Sequence, residues 1–377
     1  MSRQTHRSIA HLIAVCSLLY WITDAIAQEK KPNTAQGLKI SNVAVSALSF
    51  NPSRGETVKL SYHLSQSAAV TVKVFDADME LIRVLTEKNP RKPGMHNESW
   101  NGKDIDGKIV PNEAYLFTIE TEDASGNKAV FDPVTFSGGE GFDISQAQFD
   151  RGAGTLTYKL PRPSRVLIRV GIPGSALLKT LADWEPRVQG EITEYWNGKD
   201  ENNLLDVWKY PKSKTLITGF SLPETSVIAF GNTAYDYPMY KAGLPGGRSK
   251  KEQRAFVNQR KLSPRFLSSR LEDRSFKVVL DLQISQAATQ APLEVREKVP
   301  VRIDVAEKDR ELLTKQKFEI IFFVDMVYVA EEERAYVPFN YAWELGQLPE
   351  GEHILTVNFI TAKGQMGVGS VKVKVVK

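Results

Sequence analysis

Trp100-Asn101-Gly102-Lys103-Asp104 recurs as Trp196-Asn197-Gly198-Lys199-Asp200, the same five residues 96 positions further along. Outward from that pair the offset holds without a gap. Leu60-Ser61-Tyr62-His63-Leu64 answers to Leu156-Thr157-Tyr158-Lys159-Leu160, and Val70, Val72 and Val74 to Val166, Ile168 and Val170. Leu85 matches Leu181, Pro90-Arg91 matches Pro186-Arg187, and Gly94 matches Gly190. An identity of this kind, in register with so many apolar matches, marks a duplicated unit of about 95 residues.

Each copy reads as β structure. Val70, Val72 and Val74 alternate with Thr71 and Lys73, the period of two expected when one strand face is buried. Asn51-Pro52, Pro93-Gly94, Asn101-Gly102, Asp106-Gly107 and Ser125-Gly126-Asn127 punctuate the chain as turns. Such punctuation, without a long helical pattern, predicts an antiparallel sandwich. The alternation returns further on in Phe276, Val278, Leu280, Leu282 and Ile284, then in Val299, Val301, Ile303 and Val305. Ile320-Ile321-Phe322-Phe323-Val324 is an apolar run of strand length. Leu355, Val357 and Phe359, then Val371, Val373 and Val375, close the pattern. A third sandwich is expected over 273–377.

Composition bounds the function classes. The chain has 377 residues, 42% hydrophobic and 25% charged, with 49 basic and 45 acidic side chains. That length suits two to four domains, and the composition is neither disordered nor collagenous. A net charge of +4 gives no whole-chain argument for nucleic acid. One cysteine, Cys16, excludes a disulfide framework, a cysteine-based zinc site and haem attachment.

The start of the chain reads as an address. Arg3, His6 and Arg7 precede a mostly apolar run, Ile9 to Ile22, and Ala25-Ile26-Ala27 then leads into Gln28-Glu29-Lys30-Lys31. A basic start, a short apolar stretch and an A-x-A site predict a signal peptide over 1–27. The run is too short for a bilayer span. An uncleaved anchor and lipidation at Cys16 are the alternatives, and Ile13-Ala14-Val15 before that cysteine fits lipidation poorly. Beyond residue 27 there are 47 basic and 44 acidic residues and no cysteine, and no transmembrane segment is expected after cleavage.

The residues of the first copy resemble a known module. Phe50-Asn51-Pro52, Val70-Thr71-Val72-Lys73-Val74-Phe75-Asp76 and Gly94…Trp100-Asn101-Gly102-Lys103-Asp104-Ile105-Asp106-Gly107-Lys108…Pro111…Ala114-Tyr115 are similar to the immunoglobulin-like domain of the bacterial flagellar hook-capping protein, the FlgD type. The resemblance covers 38–137 and extends, more divergently, to a second copy at 141–231. There Asn202-Asn203-Leu204 replaces the Asp106-Gly107 turn. It implies a module rather than a job. A flagellar role is not expected, because the hook-capping protein's assembly segment has no counterpart and a cleavable signal is foreign to flagellar export. In the third domain Phe323-Val324-Asp325…Tyr341-Ala342-Trp343…Leu348-Pro349-Glu350-Gly351-Glu352-His353 resembles bacterial surface immunoglobulin-like modules. The expected fold is thus all-β, three consecutive immunoglobulin-like antiparallel β-sandwiches. The first two are joined only by Ser137-Gly138-Gly139-Glu140-Gly141, which permits bending unless an interface locks them.

Between the second and third domains, 232–272 reads as a connector with Tyr235, Tyr237 and Tyr240 around Pro238, then Gly243, Pro245, Gly246 and Gly247. From Lys241 to Arg274 there are ten basic and three acidic residues. One reading is a solvated connector with a short helix. The sharper one is docking onto an anionic surface, lipid headgroups, acidic glycan or an acidic partner, without nucleic acid. The candidate contact surface is Tyr235, Tyr237 and Tyr240 with Lys250, Lys251, Arg254, Arg260, Lys261 and Arg265.

Little catalytic chemistry is legible. His63, His96 and His353 are dispersed and read as surface or turn histidines, and no nucleophile elbow, His-Glu-x-x-His or phosphate loop occurs. No enzyme activity, cofactor or metal site is expected. Asp104-Ile105-Asp106-Gly107 resembles a calcium loop, but Gly102 stands where the first ligand belongs. A turn held by Asp side chains is the main reading, a weak calcium site the alternative. Glu331-Glu332-Glu333 reads as a solubilising loop, with calcium or a partner as alternatives. Trp100 and Trp196 read as core residues, with sugar stacking as the alternative. The expected function is a non-catalytic scaffold or accessory protein of a bacterial envelope or surface assembly, acting by protein–protein recognition in a Gram-negative periplasm or outside the cell. A carbohydrate-binding or adhesion protein is the alternative.

Overall fold

Alternation builds the first sandwich. In the strand Val58–Leu64, Val58, Leu60, Tyr62 and Leu64 are buried while the residues between them are exposed or half-buried, and Val70, Val72 and Val74 repeat the pattern in Ala68–Asp76. Val58–Leu64 lies antiparallel between Ile40–Val45 and Gly94–Trp100. In the facing sheet Ala68–Asp76 lies between Leu81–Arg91 and Glu113–Glu122. This is a computed structural model, and it describes residues 37–76, 79–242, 274–283 and 292–377. The expected signal peptide lies outside those residues.

The second sandwich repeats the plan. Thr155–Leu160 lies between Ala147–Asp150 and Gly190–Tyr195, and Ser164–Gly171 lies between Leu177–Arg187 and Lys214–Ser221. Leu81–Arg91 and Leu177–Arg187 stand at the same offset of 96, residue for residue. The third sandwich joins Val327–Glu332, Phe318–Val324, Gly351–Thr361 and Met366–Val375 in one antiparallel series. Phe276–Leu282, Lys298–Val305 and Phe339–Glu344 form the other side. The fold is all-β and immunoglobulin-like, as expected. Three short parallel pairings and the helices Tyr237–Ala242 and Glu307–Thr314 depart from a purely antiparallel plan.

One segment crosses a boundary drawn from the sequence. Val227–Ala229, expected to close the second copy at 231, instead runs antiparallel to Glu113–Tyr115 and parallel to Ser49–Phe50 in the first sandwich. The reason is burial on both faces. Val227 and Ala229 enter the core of the first sandwich, while Ile228 enters the cluster that joins the first sandwich to the second.

The sandwiches are packed against each other. Between the first two, Phe75, Ala114 and Leu116 meet Leu167, Trp184 and Phe220. Arg165 donates to Glu113 at 2.6 Å, with their side chains only 4% and 2% exposed. Arg165 Nη1 also donates to the Trp184 carbonyl at 3.1 Å. The expected hinge is stitched down: Gly139 N donates to Ser221 O at 2.9 Å, Ser221 N to Glu140 O at 2.9 Å, and Glu140 N to Ser221 Oγ at 3.0 Å. Bending there would break these bonds and expose a buried ion pair, so the interface locks the joint. Between the second and third, Leu178, Trp196 and Leu205 share a cluster with Phe323, Met326 and Ile354. Asn358 accepts from Leu177 N at 2.7 Å and donates to Leu177 O at 2.9 Å, replacing a backbone partner on both counts.

Candidate interaction surfaces

The three tyrosines expected to form an exposed contact surface are turned inward. The short helix Tyr237–Ala242 lies on the first sandwich. Tyr240 Oη donates to Asp104 Oδ2 at 2.8 Å and Tyr237 Oη to Asp76 Oδ2 at 2.8 Å, while Tyr235 Oη donates to the Ile109 carbonyl. The Tyr235 and Tyr240 rings stack with centroids 5.9 Å apart. Burial, then the hydrogen bond to Asp104, push the Tyr240 phenol well above its usual range. Tyr237 and Tyr240 are therefore buried structural residues, and Tyr235 is half-buried. A tyrosine has an apolar ring and one hydroxyl, so it caps a core whose rim carries carboxylates as readily as it forms a contact surface. Lys250, Lys251, Arg254, Arg260, Lys261 and Arg265 lie outside the described residues.

The Asp104 turn is built inward as well. Asp104 Oδ1 accepts from Asp106 N at 3.0 Å and Lys108 N at 2.8 Å, and its other oxygen holds Tyr240. Both carboxylate oxygens are thus committed to protein donors, and no cluster of three or more metal-ligating side chains occurs among the described residues. In the second copy Asp200 Oδ1 accepts from Leu204 N at 2.6 Å and Leu205 N at 2.8 Å, while Asp200 Oδ2 is buried with no hydrogen-bond partner among the described residues. Trp100 Nε1 donates to Lys103 O at 3.0 Å and Trp196 Nε1 to Lys199 O at 2.8 Å. Both indoles are buried, which leaves no face for a sugar.

One repeated constellation was not read from the sequence. Tyr62 Oη donates to Glu98 at 3.3 Å and Arg91 to the same carboxylate at 2.6 Å. Tyr158 donates to Glu194 at 3.0 Å, and Arg187 donates to Glu194 at 2.8 and 3.1 Å. All three positions obey the 96 offset, which is the signal that could have found them. Burial first, then Glu98, push the Tyr62 phenol up to about 12, and Tyr158 is shifted the same way for the same reasons. Tyrosine and glutamate sit on neighbouring strands of one sheet and the arginine on the facing sheet, so these groups tie the two sheets together.

His353 is buried rather than a surface histidine. Its Nδ1 lies 2.7 Å from Asp325 Oδ2 and its Nε2 lies 2.8 Å from Pro349 O. Both partners are acceptors, so the ring satisfies both only as imidazolium. Burial pulls its pKa down, but the bonds to Asp325 and the Pro349 carbonyl outweigh that and raise it. The Leu-Pro-x-Gly-x-His spacing is therefore a clamp from ring to backbone.

Open surface remains among the described residues. A groove of about 700 Å³ on the first sandwich is lined by Ala69, Thr71, Lys88, Arg91, Glu120 and Lys128 among others, with charges of both signs. On the third sandwich, the strand Val327–Glu332 exposes Val327, Tyr328 and Val329 in succession, with Tyr336 exposed beyond it. No helix among the described residues is long and apolar enough to cross a membrane.

The comparisons fall on the first sandwich. Residues 48–125 match the family model of the FlgD Ig-like domain. The basal-body rod modification protein FlgD of Salmonella typhimurium is 34% identical over 82 residues, which are 22% of this chain and 34% of that protein, and its Salmonella typhi counterpart matches equally. The chain thus spans about a third of the length of these relatives. Among solved structures, FlgD from P. aeruginosa is 24% identical and covers 24% of this chain and 65% of its own, at a TM-score of 0.20. Fibronectin(III)-like modules of Clostridium thermocellum CbhA are 11% identical, covering 90% of this chain and 93% of theirs at a TM-score of 0.19. Residues 48–125, which hold the Trp100–Asp104 turn, are therefore similar to the FlgD Ig-like domain.

Proposed function

We infer that the protein is an exported, non-catalytic scaffold or accessory subunit of a bacterial envelope or surface assembly, acting by protein–protein recognition. The observation that carries this reading is the locking of the sandwiches. Glu113–Arg165 at one joint and Asn358–Leu177 at the other hold the domains at set positions, so sheet edges and loops are offered at set separations. Buried polar groups committed to the joints suit a chain that holds a geometry. The FlgD Ig-like match is compatible with this reading, though it names a module and not a job. The signal-like residues 1–27 and the cysteine-free remainder support export to a periplasm or cell surface.

The test is crosslinking and affinity capture of the tagged, full-length protein from its native envelope, with mass spectrometry. A stoichiometric protein partner supports the scaffold reading. Retention on cell-wall or surface polysaccharide, with no protein recovered, overturns it in favour of glycan binding.

A further inference from the structure

We propose that the strand Val327–Glu332 is a docking edge that takes, as an added antiparallel strand, an extended segment of a partner protein bearing Lys or Arg at its start and apolar residues after it. The proposal deepens the scaffold reading and rests on it.

Three observations converge on this strand. Its backbone is paired on one side only: it registers with Phe318–Val324, and among the described residues no strand pairs with its outer edge. An edge strand presents unpaired N–H and C=O groups that another chain can complete. Its side chains are bare where those of an edge strand are usually protected. Val327, Tyr328 and Val329 are 66%, 53% and 45% exposed, and Tyr336 adds a further exposed ring, packed edge-on against Phe339 at 5.5 Å. The strand contains neither proline nor lysine, the residues that commonly blunt an edge. The edges Leu81–Arg91 and Leu177–Arg187 carry Pro90 and Pro186, whereas Val327–Glu332, which has one register shift at Val329, carries no proline.

Charge selects the occupant. Glu331, Glu332 and Glu333 follow the apolar residues at the far end of the strand, and none of the three is in an ion pair among the described residues. Arg334 is the one basic residue beside them. An antiparallel arrival sets its first residues against the far end, so its Lys or Arg meets the three carboxylates while its later residues cover Val327, Tyr328 and Val329. A like pattern of acid followed by apolar residues would put carboxylate against carboxylate, which costs about as much as the favourable pairing gains. The turn that starts the strand is anchored, with Ser175 Oγ of the second sandwich donating to Met326 O at 3.0 Å, so the edge is held in place before a partner arrives.

The experiment uses the full-length chain and two labelled nine-residue peptides, one with three lysines followed by alternating valine and threonine, the other with glutamates in place of the lysines. Fluorescence anisotropy at low salt is expected to show the lysine peptide binding about tenfold tighter, in line with a few exposed charge pairs. Replacing Glu331, Glu332 and Glu333 together by Lys should reverse the preference. Val329→Pro should abolish binding of both peptides while circular dichroism and the melting temperature stay near wild type. Equal affinity for both peptides, no binding by the wild type, or binding that survives Val329→Pro overturns the proposal. Self-association that Val329→Pro removes, without peptide binding, overturns it in favour of a second copy as occupant. Capture of one stoichiometric envelope partner equally well by wild type and Val329→Pro keeps the scaffold reading and overturns this site alone.

Discussion

The two copies of the duplicated unit share a five-residue turn and differ in what the later chain brings to it. In the first copy the helix Tyr237–Ala242 returns, and Tyr240 closes the Asp104 carboxylate. In the second, Asp200 Oδ2 has no hydrogen-bond partner among the described residues. The third sandwich settles there instead: Asn202 Oδ1 accepts from Ser370 N at 2.7 Å, and Leu205 and Val207 join Phe323, Met326 and Ile354. The Asn202-Asn203-Leu204 departure from the repeat is therefore part of an interface rather than loss of a motif. The turn is a seat, and the copies diverged to suit different occupants.

The sharpest way to break the comparison is at the joint between the copies. Glu113→Ala strands the Arg165 guanidinium in the interior, and unfolding by denaturant should show a loss of about 3–5 kcal/mol. Glu113→Leu with Arg165→Met should recover most of it, because apolar groups of similar volume replace both charges. Next comes the turn itself. Gly198 has φ +74°, and a β-carbon there would collide with the Trp208 indole, whose ring lies 4.7 Å from Trp196 and 5.2 Å from Phe149. Gly198→Ala should cost about 2–4 kcal/mol by calorimetry, from left-handed strain plus overpacking.

Tyr240→Phe turns the first seat into a likeness of the second, since Asp104 Oδ2 then lacks its donor as Asp200 Oδ2 does. A loss of about 1–3 kcal/mol is expected. A double-mutant cycle with Asp104→Asn should show coupling, whereas Asp200→Asn should be additive with Tyr240→Phe. The smallest effect concerns the third sandwich. His353 has a raised pKa, so its contribution is fully present below the ordinary histidine value and is lost as pH rises through the folded one. The melting temperature should fall across that window, and His353→Gln should flatten the profile. An NMR titration placing the ring below its ordinary value would contradict the clamp.

Much of the fold was legible because it rests on local pattern. The 96 offset and the alternation of Val70, Val72 and Val74 specify strands and faces without reference to distant residues. The inward Asp104 turn was readable too, since an Asx turn is made by neighbours. What escaped depends on residues far apart. Nothing near Tyr240 announces that Asp104, 136 positions earlier, will hold its hydroxyl. Glu113 and Arg165 look like ordinary surface charges until the joint closes over them. The Glu331-Glu332-Glu333 run reads as a solubilising loop, yet Glu331 and Glu332 belong to the strand Val327–Glu332. Its apolar approach, Val327-Tyr328-Val329, looks like any buried strand in sequence and differs in having no neighbour on its outer side among the described residues.

The return of Val227–Ala229 also sets an order of assembly. As the chain emerges from its N-terminus, the first sandwich cannot be finished when its own 95-odd residues are out. The place between Ser49–Phe50 and Glu113–Tyr115 stays empty until the whole second copy has followed. Such pairing across long sequence separation is of the kind that slows folding. A chain cut at residue 137 would lack the Val227–Ala229 strand of its own first core, so the two copies, though written as tandem units, share one sheet.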